Sequence, residues 1–118
     1  MKSRICIIDH DLDNMVFLRE CLKGEGHDVL SFENGLEIRH HLCNGEFSVV
    51  ILNIETPGVR GGDLFNIIQK AKKSRVLLIV SERGDAFLKE AMNMGVYGFI
   101  YKPFNLQEVC AMVSHLTR

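Results

Sequence analysis

Asp9, His10 and Asp11 close one apolar run, Asn53 closes another, Ser81 and Glu82 follow a third, and Lys102 with Pro103 ends a fourth. Carboxylates offer hard oxygen ligands to a divalent cation, while a hydroxyl and an ammonium group can neutralise an anion. Two members of the set do not suit that chemistry. Imidazole is a poor ligand for magnesium, so His10 weakens a cation site built on Asp9. The amide oxygen of Asn53 is neutral and poorly nucleophilic, with no simple route to a stable acyl phosphate.

These residues matter only if the chain brings the run ends together, and its pattern does so. The apolar runs are Ile5 to Ile8, Val29 to Phe32, Val49 to Leu52, Val76 to Val80 and Val96 to Tyr101. Four of them are nearly continuous in apolar residues and rich in Ile and Val, as parallel strands covered on both faces are. Val29 to Phe32 carries polar interruptions and is the candidate edge strand. Between the runs, Leu12, Met15, Val16, Arg19 and Leu22 follow helical spacing, and Leu106, Val109, Cys110, Val113 and Leu116 follow it more cleanly.

The stop signals agree with that division. Gly24 and Gly26 follow the first helix, Asn44 and Gly45 the second and Gly95 the fourth, while Asn105 caps the fifth. Repeated strand and helix units joined by short loops predict a doubly wound α/β fold with right-handed crossovers. In such folds ligands sit beyond the carboxyl ends of the strands, near the point where the strand order reverses. The residues to inspect are therefore the strand ends named above.

Composition bounds the possibilities. With 118 residues, 47% hydrophobic and 25% charged, the chain reads as one globular domain over residues 1–118. A formal net charge of -1 gives no footprint for nucleic acid or an anionic membrane. Lys70, Lys72 and Lys73 read as the solvated end of one helix. The N-terminal apolar run is too short for a signal segment or a membrane span, so the protein is expected to be cytoplasmic. Cys6, Cys21, Cys43 and Cys110 form no C-x-x-C pair and mostly fall at apolar positions, so they are expected to be buried, reduced thiols.

Four motifs now stand in order: Ile7-Ile8-Asp9-His10-Asp11, Leu52-Asn53-Ile54-Glu55-Thr56-Pro57-Gly58, Ile79-Val80-Ser81, and Gly98-Phe99-Ile100-Tyr101-Lys102-Pro103-Phe104. Together they make essentially the whole chain resemble a response-regulator receiver domain of two-component signalling. The resemblance implies a flavodoxin-like (βα)5 fold with strand order 2-1-3-4-5, acting as a signalling module and not as an enzyme. It also implies a phosphoacceptor aspartate where this chain has Asn53. Asp9 then matches the first of two metal-holding acids, His10 replaces the second, Ser81 matches the switch hydroxyl, and Lys102 matches the phosphate-binding lysine ahead of a cis peptide at Pro103. Phe99 stands at the aromatic switch position, where an inward switch rotamer and simple core packing remain alternatives.

The departures point one way. With His10 and Asn53 neutral, Asp9 and Lys102 sum to zero charge, so the pull on a divalent cation is largely lost even if Asp11 or Glu55 contributes. Magnesium binding is expected to be weak or absent, Lys102 is expected to pair with Asp9, and Asp11 is expected to cap the first helix instead of substituting as a ligand. Glu82, where the family usually has a small residue, would crowd and repel a phosphoryl group. Ser81 could also be a turn hydroxyl, and Lys102 a solvated lysine.

The leading expectation is an atypical receiver acting as a phosphorylation-independent interaction or dimerisation module. A histidine kinase or an output domain is its expected partner, and the Ala86 to Leu116 face, with Met92, Met94 and Tyr101, its expected dimer surface. The alternatives are a conventional phosphoaccepting receiver carrying Asn53 as a variant, and a flavodoxin-like flavin- or nucleotide-binding enzyme. Gly58, Gly61 and Gly62 fit no phosphate-loop fingerprint and read as turn residues. His40 and His41 point in different directions on a helix, and His27 and His115 are expected at the surface or at an edge.

Overall fold

A computed structural model describes residues 3–35, 47–57, 59, 62–71, 73–81 and 84–117, with the side chains of Gly62, Asp63 and Phe65 left aside. Its strands are β1 (Arg4–Ile8), β2 (Asp28–Phe32), β3 (Val49–Asn53), β4 (Arg75–Val80) and β5 (Gly98–Tyr101). The described helices are α1 (Leu12–Gly24), α2 (Gly62–Lys70), α3 (Asp85–Asn93) and α4 (Leu106–Leu116). The strands form one parallel sheet in the order β2-β1-β3-β4-β5. This is the flavodoxin-like order, with β2 at an edge as its polar interruptions require. The helix expected after β2 and the stop at Asn44 and Gly45 lie outside the described residues.

Strand alternation sorts the core into two layers. Cys6, Ile8, Val50, Leu52, Val76, Leu78 and Val80 face one side, where Ile67 and Ile68 of α2 and Ala91 of α3 cover them. Ile5, Ile7, Val49, Ile51, Leu77, Ile79 and Ile100 face the other, under Met15, Leu18 and Leu22 of α1 and Val109, Val113 and Leu116 of α4. Period-two geometry thus makes each inner strand apolar on both faces. Each such buried aliphatic side chain contributes roughly 1.5 to 3 kcal/mol.

The stripe expected on α1 is rotated in the fold. Met15, Leu18 and Leu22 are buried, whereas Leu12 and Val16 are exposed and Arg19 is only partly covered. Both stripes have helical spacing, and the direction of the β1 to α1 turn selects between them.

Local chemistry starts and stops the helices. Asp11 Oδ1 accepts from Asn14 N at 3.2 Å and opens α1. Gly26, at φ +93°, takes the left-handed conformation that turns the chain toward β2. Asn105 Oδ1 accepts from Gln107 N at 2.8 Å and Glu108 N at 3.3 Å, closing two otherwise orphaned donors of α4. Asn105→Ala is expected to lower unfolding stability by about 1 kcal/mol, read by urea titration.

Two further expectations need correction. His27 is buried, its backbone N–H donating to Leu22 O at 3.2 Å as the chain leaves α1, so the turn draws it beneath the surface. Cys21 and Cys110 are joined by a disulfide, because α1 and α4 lie side by side on one face of the sheet. Cys6 is a buried free thiol as expected, and burial pushes it far above the ordinary thiol range. Cys43, His40 and His41 lie outside the described residues. No described helix is long and apolar enough to cross a membrane.

Candidate functional site

The strand order reverses at β1 and β3, and the registers there place the strand ends side by side. Ile8 pairs with Leu52, so the next residues, Asp9 just past β1 and Asn53 at the end of β3, are neighbours at the edge of the sheet. Val80 pairs with Tyr101, which sets Ser81 beside Lys102 in the same way. The peptide between Lys102 and Pro103 is cis. The sheet therefore brings Asp9, Asn53, Ser81 and Lys102 to one end of the molecule.

Asn53 is fixed on both sides. Its Nδ2 donates to Asp9 Oδ1 at 2.9 Å, and its Oδ1 accepts from Glu55 N at 3.0 Å. Both side chains are buried, Asp9 fully and Asn53 to within 1%. A buried carboxylate is costly without donors, and Asp9 Oδ1 has two, the Asn53 amide and Asp11 N at 2.9 Å. Asp9 Oδ2 is also buried but finds no hydrogen-bond partner among the described residues.

This arrangement replaces the expected pairing of Lys102 with Asp9. No ion pair joins the two, and the Asn53 amide occupies the donor place on Asp9 instead. Lys102 is anchored through its backbone, N donating to Val80 O at 2.9 Å. It lines a cleft of about 380 Å³ with Asp11, Asn14, Pro103 and Phe104.

Thr56, buried and not recognised from sequence, belongs to the site. His10 N donates to Thr56 Oγ1 at 3.3 Å, and His10 Nδ1 lies 3.4 Å from the same oxygen. His10 Nδ1 is 3.8 Å from Asp9 Oδ1, while its ring is 41% exposed, so water screens that attraction. Only the chain reversal after β3 brings Thr56 here, through Thr56 N donating to Asn53 O at 3.1 Å.

Ser81 Oγ donates to Glu55 Oε1 at 3.0 Å, linking the ends of β3 and β4 across the opening of the site. Phe99 is half-buried against the core and tilted toward Tyr101, with ring centroids 6.5 Å apart. Glu82, Gly58 and Gly61 lie outside the described residues.

Among the described residues, Asp9, Asp11 and Glu55 are the carboxylates that could offer oxygens to a divalent cation at this end of the sheet. Asp9 Oδ1 already accepts two N–H groups, Asp11 Oδ1 caps α1, and Glu55 Oε1 accepts from Ser81. Each carboxylate keeps a second oxygen outside these bonds, Asp9 Oδ2 being buried without a partner, yet no group of three or more acidic, His or Cys side chains able to hold a metal occurs among the described residues. The described residues thus present no ready-made cage of the several oxygens that a hard cation needs at once.

The decisive agreement is with a family. Residues 5–114 match the response regulator receiver domain. The chain belongs to that family. Among curated relatives, it is 28% identical to a probable transcriptional regulatory protein SilR of Salmonella typhimurium, over 98% of this chain and 51% of the relative. It is 27% identical to the transcriptional regulatory protein CrdR of Helicobacter pylori, over 97% of this chain and 54% of that protein. The chain spans about half the length of these relatives. A CheY-like receiver domain from Methanospirillum hungatei superposes with a TM-score of 0.86 at 20% identity, covering 99% of this chain and 95% of that one. The receiver domain of a LuxO-type repressor from Vibrio parahaemolyticus gives 0.85 at 19% identity, covering 100% and 92%. At these identities the structural likeness establishes the fold of this receiver.

Proposed function

We propose that this receiver domain of two-component signalling works without phosphoacceptor chemistry, as an interaction and dimerisation module. The observation that carries the reading is the buried hydrogen bond from Asn53 Nδ2 to Asp9 Oδ1 at 2.9 Å. A phosphoacceptor position needs a free carboxylate oxygen, whereas Asn53 presents an amide whose donor and acceptor are both engaged. His10 stands beside Asp9 in place of a second carboxylate, and no group of three or more side chains able to hold a metal occurs among the described residues, which supports weak or absent magnesium affinity.

The exposed side chains fit a binding role. Met92, Met94, Tyr97 and Tyr101 are exposed on the Ala86 to Leu116 face. Flexible thioethers and amphipathic rings give adaptable contacts, which supports that face as the surface for a second copy or another protein. A histidine kinase or an output domain is the partner class that suits a receiver. Since the relatives are transcriptional regulatory proteins of about twice this length, a transcriptional output is the reading for the whole protein, acting in the cytoplasm.

The test is incubation with acetyl phosphate and magnesium, followed by intact-mass measurement. No phosphoryl adduct is expected. A stoichiometric, magnesium-dependent adduct on the unaltered chain would overturn the reading.

A further inference from the structure

Cys21 and Cys110 lie 89 residues apart in the chain and meet on the seam between α1 and α4, where they form a disulfide. Other forces hold that seam too. Met15, Leu18 and Leu22 of α1 share one buried cluster with Val109, Val113 and Leu116 of α4. Beyond the cysteines, Ser114 Oγ donates to Glu25 Oε2 at 2.5 Å across the seam, and Arg75 Nη1 of β4 donates to Leu116 O at 2.7 Å, which ties the end of α4 to the sheet. The disulfide is therefore one of several contacts that hold these helices in place.

The two sulfur-bearing residues are unequal. Cys110 is only 3% exposed, while Cys21 is partly open to solvent. Such a pair has one member that a reagent can approach and one that a reagent cannot. Cys6, on the opposite face of the sheet, is buried and held as a thiol, so it does not compete.

We propose that Cys21 and Cys110 form a reversible thiol–disulfide switch, driven by exchange with a small thiol and disulfide couple, which sets how firmly α4 is tied to α1. In closing, the Cys21 thiolate attacks the small disulfide, forms a mixed disulfide and releases one small thiolate. Cys110, its proton passed to solvent, then attacks the Cys21 sulfur and releases the second thiolate. The protein loses two electrons and two protons, and the small disulfide becomes two thiols. Opening is the reverse, starting from attack on the Cys21 sulfur.

The bond has two consequences. It closes a long loop between the first and last helices, which strongly restricts the unfolded chain. It also joins the elements that wall the cleft beside the site, since Asp11 and Asn14 come from the start of α1 while Lys102, Pro103 and Phe104 lead into α4. Redox state thus reaches the cleft and the α4 part of the proposed contact face through the same seam.

The experiment uses the full chain with Cys43→Ser, equilibrated in glutathione buffers of varied ratio, quenched in acid, unfolded in denaturant, alkylated and weighed intact. Two alkylation sites should disappear together as the buffer becomes oxidising, with a Cys21–Cys110 peptide recovered under non-reducing conditions. Both forms should keep the same native circular dichroism, and the oxidised form should melt roughly 8 °C or more above the reduced one. Amides of residues 106–116 should exchange several-fold faster when reduced. The further substitution Cys21→Ser should fold and lose every redox-dependent difference. Persistent alkylation of both thiols in oxidising buffer would overturn the proposal, as would identical melting and exchange in the two forms. Loss of native structure on reduction would overturn it too, because the bond would then be a fixed staple.

Discussion

Asn53→Asp is expected to lower stability by about 3 kcal/mol at neutral pH and to leave the protein almost unphosphorylated. The substitution removes the donor that lies 2.9 Å from Asp9 Oδ1 and puts a second buried oxygen anion there. Two carboxylates at that separation cannot both ionise without a large cost, and Lys102 is not placed to neutralise them. The introduced carboxyl therefore keeps its proton more readily in the folded state than in the unfolded one. A group of that kind destabilises the fold above its unfolded titration range and ceases to do so in acid, so the deficit should shrink toward zero near about pH 4.

Urea titrations of both proteins at the two pH values check the sign and the size. The same variant, treated with acetyl phosphate and magnesium, checks the chemistry. Little labelling is expected, because His10 still stands where the family resemblance places the second metal-holding acid and Asp11 Oδ1 still caps α1. Full magnesium-dependent labelling of Asn53→Asp, with no loss of stability, would show that a single residue had silenced an otherwise working receiver.

Leu18→Ala should cost about 3 kcal/mol, while Leu12→Ala should stay within about 0.5 kcal/mol of the unaltered protein. Leu18 is fully buried against the β1 and β3 residues of one sheet face, and truncation there leaves a cavity that the rigid sheet cannot close. Leu12 is 51% exposed, so its truncation removes little buried surface. Urea midpoints with unchanged slopes measure both effects. Equal losses at the two positions would mean that α1 sits on the sheet rotated from the face described above.

How much of this was legible in the chain can be judged residue by residue. The five strands, the edge position of β2, the cap at Asn105 and the cap at Asp11 were readable, because each depends on periodicity or on bonds to residues two or three positions away. The gathering of Asp9, Asn53, Ser81 and Lys102 was readable as well, since parallel strands in this order must end together. Thr56 was missed although it stands inside the motif after β3, for its own type signals only a turn and it acquires its role from His10, 46 residues away.

By itself, then, the sequence determined the elements, through local spacing, alternation and capping, and the family and its site residues, through the resemblance of four motifs. Only the tertiary structure decided the partners. It chose Met15, Leu18 and Leu22 over Leu12 and Val16, buried His27, joined Cys21 to Cys110, and gave Asp9 the Asn53 amide in place of Lys102. Each of those choices turns on the direction of a side chain relative to a distant element. Patterns along the chain set which face a residue occupies, but the contact it makes depends on where the folded chain places its neighbour.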